Sequence, residues 1–169
     1  YMDQTPKKIG MVSLGCPKNL VDSEALLGDL GVSGYEMTPD ESEADVIIVN
    51  TCGFLQSAVK ESIDTILEMA GHKTDGRCQR LVVTGCLAER HPEELLQEIP
   101  EIDHLLGTKQ YPLLKHLLNG PDGSKERNHT HEPAQYFDTP GNRVLTTPFY
   151  SAYVKIAEGC SNKCAFCII

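Results

Sequence analysis

VIIVNTCGF, residues 46–54, is the stretch of sequence that decides the fold. Its uninterrupted apolar run is typical of a strand buried on both faces of a parallel sheet, and it predicts a strand over 46–50. Gly53 permits a tight turn, and the apolar residues that follow recur at helical spacing as far as Gly71. They predict an amphipathic helix whose inward positions are Leu55, Val59, Ile63, Ile66 and Ala70.

Two other stretches repeat this succession of strand, cysteine and helix. IGMVSL at 9–14 precedes Cys16, and LVVT at 81–84 precedes Cys86. Pro17 suits the first turn of a helix that runs to Gly31, and Pro92 interrupts or restarts the helix that follows Cys86. Weaker patterns predict a short strand at 35–38, a short polar turn or helix at 40–45, a fifth strand at 104–106 and a last helix at 111–118.

The alternation of strands and helices over residues 1–118 predicts an α/β fold, doubly wound around a mostly parallel, flavodoxin-like sheet. In that strand order the first, third and fourth strands are neighbours at the topological switch point. Cys16, Cys52 and Cys86 then share the carboxyl edge of the sheet, where open α/β sheets bind their ligands. Three soft ligands at one edge predict a metal or iron–sulfur site.

Composition and charge narrow the classes of function. Of the 169 residues, 40% are hydrophobic and 23% are charged, as in an ordinary globular domain. No apolar stretch suits a membrane span or a signal core, so we expect a cytoplasmic protein with no membrane partner. The net charge of −9 belongs to residues 1–118, which hold ten basic and nineteen acidic side chains. Because such a surface repels phosphate, this part is a poor candidate for binding nucleic acid; the alternative is that the acidic charge only keeps the protein soluble.

Residues 119–148 are rich in Pro, Gly, Asn and Thr, which predicts a linker or a surface hairpin. His129 and His131 lie within this segment, and we interpret them as part of a solvated loop rather than as a metal-binding pair. The sequence SAYVKIAEG, which begins at Ser151, predicts the first strand of a second domain. That domain would start in residues 149–169 and continue beyond Ile169.

Cys160, Cys164 and Cys167 form a C-x3-C-x2-C loop after the predicted strand. Three such thiolates can hold three corners of a cubane iron–sulfur cluster and leave the fourth iron open for a substrate. Zinc binding is one alternative, although zinc more often takes cysteines in pairs, and electron transfer is another, although ferredoxins supply four cysteines per cluster. Cys78 lies off the strand-end pattern, and we interpret it as a non-ligand among the seven cysteines.

The C-x3-C-x2-C loop resembles the signature of the radical S-adenosylmethionine (SAM) superfamily, and Phe166 matches the aromatic residue that usually precedes the last cysteine. The resemblance implies that Cys160, Cys164 and Cys167 bind a [4Fe-4S] cluster whose open iron binds SAM, with Phe166 in the cofactor site. It also implies that an electron from the cluster cleaves SAM to a deoxyadenosyl radical, while the protein supplies binding and orientation.

The preceding part of the chain resembles the methylthiotransferases, a subfamily whose amino-terminal α/β domain binds a second [4Fe-4S] cluster through three cysteines. The motifs LGCPKN, NTCGF and TGCL carry this resemblance, which runs from Ile9 to the end of the chain and is weakest over 119–148. It implies that Cys16, Cys52 and Cys86 bind the second cluster. There sulfur would be held and methylated by a second SAM before transfer.

Pro17-Lys18 and Gly53-Phe54 resemble the branch of this family that modifies the β-carbon of an aspartate in a small-subunit ribosomal protein. The alternative is the branch that methylthiolates adenosine in transfer RNA, and the acidic first domain agrees better with a basic protein substrate. The electron donor and the sulfur source are left unidentified. We expect the present chain alone to be inactive, because most of the SAM-binding barrel would lie beyond Ile169.

Residues beside the cysteines have two interpretations each. Asn19 and Asn50 either hydrogen-bond the ligand loops or cluster sulfur, or act as turn and cap residues. The glycines beside the cysteines are Gly15, Gly53 and Gly85. They either expose backbone N–H groups to cluster sulfur or only permit tight turns.

Overall fold

The computed structural model describes residues 7–120, 126–133, 142–157 and 159–167. In it, the apolar runs of the sequence form a five-stranded parallel sheet with the strand order β2-β1-β3-β4-β5. The elements are β1 (Lys8–Ser13), α1 (Pro17–Val32), β2 (Glu36–Met37), β3 (Val46–Thr51), α2 (Gln56–Asp75), β4 (Arg80–Gly85), α3 (Cys86–Arg90), α4 (Pro92–Glu98), β5 (His104–Leu105) and α5 (Leu114–Asn119). Single 3-10 turns occupy Glu41–Glu43 and Tyr111–Leu113. The predicted flavodoxin-like α/β fold is confirmed.

The two central strands explain the uninterrupted apolar runs. Every residue of β3 and of β4 is buried, and the two strands pair in register from Val46↔Arg80 to Thr51↔Gly85. β1 pairs with the other side of β3. A strand that is covered on both faces has no solvent side, so it shows no alternation of apolar and polar residues.

Helices cover both faces of the sheet, because alternate residues of a strand point to opposite sides. Ile47 lies in the apolar cluster that contains Ile66 of α2, and residues of α3 and α4 complete this side. Ile48 lies in the opposite cluster, with Leu26 of α1 and Leu114 of α5. The doubly wound arrangement predicted from the sequence therefore follows from two separate cores.

Several predicted boundaries differ from the observed ones. α2 continues past Gly71 to Asp75, because a single glycine weakens a helix without necessarily ending it. Leu55 precedes α2 and is 59% exposed rather than inward-facing. The strand predicted from Ser151 is wrong: residues 151–157 form no ladder with any of the described strands. In the described ranges, no helix combines the length and apolar character that crossing a membrane requires.

Residues 126–133 pack on the edge of the sheet. The amide of Leu105 donates to the carbonyl of Arg127 at 2.7 Å, the amide of His129 donates to the carbonyl of Leu105 at 2.8 Å, and Asn128 forms a parallel bridge with Leu105. This part of the segment thus extends the sheet beyond β5. Residues 121–125 and 134–141 of the predicted linker lie outside the described residues, and the division of the chain into domains stays a prediction.

His129 is buried against His104 rather than solvated, with 3.3 Å between His104 Nδ1 and His129 Nε2. Burial, the neighbouring His129 and the Arg80 guanidinium lower the pKa of His104 to about 4. Burial also lowers the pKa of His129. His131 is exposed, with its Nε2 3.3 Å from Glu126, so the prediction of a solvated loop residue holds for His131 but is wrong for His129.

The buried histidine pair makes the fold sensitive to acid. Because the pKa of His104 is about 4 in the folded chain and about 6.5 when unfolded, the unfolded state binds more protons below pH 6.5. The folding stability that depends on a neutral His104 is present at neutral pH and is therefore lost as the pH falls from 6.5 toward 4. We expect the free energy of unfolding in urea to drop by about 2 kcal/mol more between pH 7.5 and pH 5 than in a His104→Gln variant.

The control for this experiment is His116→Gln, which replaces an exposed histidine of α5. It should retain the full pH dependence of the unmodified chain. Equal losses of stability in the unmodified chain and in His104→Gln would contradict the assignment to the buried pair.

Candidate metal centre

Three cysteines lie where neighbouring parallel strands end. Cys52 follows β3 directly, Cys86 follows β4 directly, and Cys16 follows β1 after a short turn. The last residue pair of the β3–β4 ladder is Thr51↔Gly85, so Cys52 and Cys86 leave the sheet side by side. β1 and β3 flank the switch point of this strand order. The three cysteines therefore share the edge at which open α/β sheets bind ligands, as the sequence predicted.

The three thiols differ in exposure but influence one another. Cys52 is buried, Cys86 is half-buried and Cys16 is exposed. Burial raises the pKa of the Cys86 thiol, and the nearby Cys52, Cys16 and Asp22 raise it further, because each added negative charge disfavours another thiolate. Ligand thiols must be deprotonated to bind a metal, and a bound cation is the group that would reverse this repulsion.

Gly15 brings the first ligand loop against the second. Its φ of 88° lies in the left-handed region. A Cβ at this position would lie 2.5 Å from Cys52 Cβ and 2.8 Å from Cys52 Sγ, so any larger residue would push the two loops apart. The glycine thus permits both the tight turn and the close approach of the two cysteine loops.

Asn19 contacts all three ligand loops with one buried side chain. Its Nδ2 donates to the carbonyl oxygen of Leu14 at 3.1 Å and to that of Thr51 at 2.8 Å. The Cys86 thiol donates to Asn19 Oδ1, with 3.9 Å between Sγ and Oδ1. Of the two interpretations of this asparagine, the structure supports a role in holding the backbone of the ligand loops.

Two more polar side chains fix the end of β3. Asn50 Nδ2 donates to the carbonyl of Asn19 and to Ser23 Oγ, both at 3.0 Å. Ser62 of α2 accepts from the amide of Cys52 and donates to its carbonyl, both at 3.1 Å. The sequence pattern did not single out Ser62; its signal is a serine on the apolar stripe of an amphipathic helix, where it is fully buried.

The second cysteine triplet lies on an exposed stretch. Cys160, Cys164 and Cys167 are all exposed, and the amide of Cys167 donates to the carbonyl of Cys164 at 3.1 Å in a turn. Phe166 is 90% exposed. The structure thus keeps these cysteines in one loop and places the aromatic residue at the surface. Cys78 lies elsewhere, before β4, where it is buried and donates to the carbonyl of Arg80 at 3.3 Å.

One group of possible metal ligands outside the cysteines has closely spaced ligand atoms. Glu126, His131 and Glu132 have their ligand atoms within 4.8 Å of one another, at exposed and half-buried positions. Neither cysteine triplet has all three sulfurs that close in the part of the chain that the structure describes.

Comparison with known proteins gives two results. The family described as "Uncharacterized protein family UPF0004" matches residues 8–107. Curated relatives named ribosomal protein uS12 methylthiotransferase RimO include one from Geotalea uraniireducens, 51% identical over 96% of this chain and 37% of the relative, and one from Geobacter sulfurreducens, 50% identical over 99% of this chain and 38% of the relative. A third, from Symbiobacterium thermophilum, is 52% identical over 97% of this chain and 34% of the relative. The chain thus spans a little over a third of the length of these relatives.

Proposed function

Because the chain belongs to the UPF0004 family, we propose that it is the amino-terminal part of a radical SAM methylthiotransferase that modifies the β-carbon of an aspartate in ribosomal protein uS12. The observation that carries the proposal is its 51% identity, over 96% of the chain, to a relative with that name. The motifs around Pro17-Lys18 and Gly53-Phe54 agree with the same branch. Work on a ribosomal protein would place the enzyme in the cytoplasm.

The cysteine sites fit iron–sulfur clusters in their donor chemistry. Each site supplies three cysteine sulfurs, which are the ligands that iron–sulfur clusters take. Cys16, Cys52 and Cys86 would hold one [4Fe-4S] cluster, and the C-x3-C-x2-C loop would hold another together with SAM. When bound, these cofactors supply the sulfur and the radical chemistry.

The residues of this chain give the first site its shape. Asn19 joins the carbonyls of Leu14 and Thr51 in one hydrogen-bonded unit, and Ser62 fixes the backbone of Cys52 from the opposite helix. Cys52 is held in the interior while Cys16 remains exposed. One side of the site is therefore hydrogen-bonded and shielded from water, and the other side is open to solvent, where a substrate would approach. Such preorganisation matters because small misplacements of reacting groups slow catalysis strongly.

Methylthiolation of adenosine in transfer RNA is the second candidate function. The acidic charge of residues 1–118 weighs against it, since contacts to phosphate need basic side chains. It agrees better with a basic protein substrate. The experiment that decides uses the complete protein, reconstituted and reduced anaerobically with SAM and sulfide, and offered ribosomal protein uS12 and transfer RNA in parallel.

We expect mass spectrometry to find a methylthio increment on an aspartate of uS12 and none on the transfer RNA. The present chain serves as a control that should be inactive, because it spans only about a third of its relatives. An increment on adenosine alone would contradict the proposed substrate. Stoichiometric zinc without sulfide in the reconstituted protein would contradict the enzyme class.

A further inference from the structure

Glu24 of α1 is a fully buried carboxylate whose partners come from the far end of the chain. Arg143 Nε donates to Glu24 Oε2 at 2.8 Å, and its second guanidinium nitrogen contacts the same oxygen. The amide and the hydroxyl of Thr146 donate to Glu24 Oε1 at 2.6 and 2.7 Å. Burial alone would raise the pKa of the Glu24 carboxyl, but the hydrogen bonds from Thr146 and Arg143 bring it below its ordinary value.

The backbone of α1 accepts the same segment. Val144 donates its amide to the carbonyl of Glu24 at 3.1 Å. Gly28, one turn further along the helix, lies so close to the carbonyl of Asn142 that any Cβ would approach it closer than 3.0 Å. Residues 142–146 therefore lie directly on the helix surface, and a side chain at Gly28 would displace them.

A second carboxylate of α1, that of Asp22, contacts a later residue of the same segment. Asp22 pairs with Lys155, and only 9% and 14% of the two side chains are exposed. Asp22 also lies within electrostatic reach of Cys86, as described above, so this ion pair adjoins the three-cysteine edge. Lys155 stands five residues before Cys160 in the sequence. Arg143 links the two contacts, because its remaining nitrogen donates to the carbonyl of Tyr153 at 2.8 Å.

Buried ion pairs of this kind specify geometry more than they add stability. The cost of removing charges from water offsets much of their attraction, so apolar residues of similar size often stabilise a fold equally well. What the charges provide is a single allowed arrangement, since any shift leaves a buried carboxylate without its partner. Here the arrangement concerns the helix that begins after Cys16 and the segment that leads to Cys160.

We propose that Asp22 and Glu24 form a two-carboxylate clamp that holds residues 142–155 on α1 and thereby fixes the C-x3-C-x2-C loop relative to the three-cysteine edge. The clamp residues are positioning residues, which act through the two cysteine sites without touching a substrate. This inference rests on the proposed function for its purpose, because transfer between two sites requires that they keep one relative placement.

The test compares variants of the complete protein. Glu24→Gln keeps the shape of the side chain but removes its charge, and Asp22→Asn does the same for the second contact. Asp29→Asn is the matched control, because Asp29 lies on the same helix but forms its ion pair with Lys115 of α5, at 2.5 Å. If Glu24→Gln does not fold, Arg143→Lys removes the fork-shaped contact from the other side while it keeps the charge.

Three measurements test the proposal. Hydrogen–deuterium exchange at the amides of residues 144–146 should be at least tenfold faster in Glu24→Gln than in the unmodified protein or in Asp29→Asn. Pulsed EPR between the two reduced clusters should show a broader distance distribution in both clamp variants. Methylthio transfer per SAM cleaved should then fall at least tenfold, whereas Asp29→Asn should keep the ratio of the unmodified protein.

Faster amide exchange with an unaltered cluster distance and an unaltered ratio of transfer to SAM cleavage would overturn the proposal. The contacts would then hold residues 142–155 on α1 without positioning the two cysteine sites. Unaltered exchange would overturn it as well. If the unmodified protein transfers no methylthio group to uS12 or to transfer RNA, the proposed function fails. The exchange and distance measurements would in that case still decide whether the clamp exists.

Discussion

Replacing Cys16 by alanine in the complete protein is expected to abolish methylthio transfer while SAM is still cleaved. The three-cysteine edge would lose one of its three sulfur ligands, and two cysteines do not retain a cubane cluster. Iron after anaerobic reconstitution should therefore fall from about eight to about four atoms per protein. The C-x3-C-x2-C loop keeps its three cysteines, so the proposed SAM-binding site should remain loaded.

The matched control is Cys78→Ala. Cys78 also lies within residues 1–118, but it is buried before β4, where it donates to the carbonyl of Arg80. This variant should keep about eight irons and the transfer activity, with only a moderate loss of stability from the missing buried sulfur. Loss of SAM cleavage in a Cys16→Ala protein that retains four irons would contradict the division of labour between the two sites.

The features that local sequence predicted are those in which one short stretch carries the whole signal. The residues around Val46 and Leu81 form strands because nothing in them favours a solvent face, and each run ends at a cysteine. Because parallel strands align their carboxyl ends, the pattern also predicted that Cys16, Cys52 and Cys86 would share one edge. Periodicity and strand ends were sufficient for this part of the site.

The features that the sequence did not predict depend on contacts between distant residues. The local sequence predicted that His129 is a solvated loop residue, but it is buried against His104 of β5, which stands 25 residues earlier. Glu24 reads as an ordinary polar position of a helix, and its partner Arg143 stands 119 residues later. No local period records such a pairing. For the same reason the apolar run after Ser151 predicted a strand, although no neighbouring strand pairs with it in the described residues.

Replacing Gly85 by alanine is the second change with a large expected effect. Gly85 is the last residue of β4 and immediately precedes Cys86, with φ of 98° and ψ of −163°, a region essentially restricted to glycine. A Cβ there would lie closer than 3.0 Å to Asn50 Oδ1 and to backbone atoms of Thr51. Asn50 Oδ1 is a buried acceptor with no hydrogen-bond partner in the described structure, so the crowding falls on a group that water does not reach.

Backbone strain and the forced displacement of β3 should together lower the free energy of unfolding of the Gly85→Ala chain by about 3 kcal/mol or more. Thermal unfolding should then occur about 10 °C lower for a chain of this size. Because the displaced residues are those that place Cys52 and Cys86, the complete protein carrying this change should also reconstitute with fewer than about eight irons.

Gly71→Ala provides the matched control, since Gly71 lies inside α2 with nothing within 4 Å of a new Cβ. Alanine is the better helix former, so this variant should be more stable by about 0.5–1 kcal/mol and should retain its iron. The two substitutions add the same methyl group, and they differ only in the backbone conformation and the space that it meets. Equal stabilities for the two variants would mean that the turn before Cys86 has a different backbone conformation and that β3 leaves more room beside it.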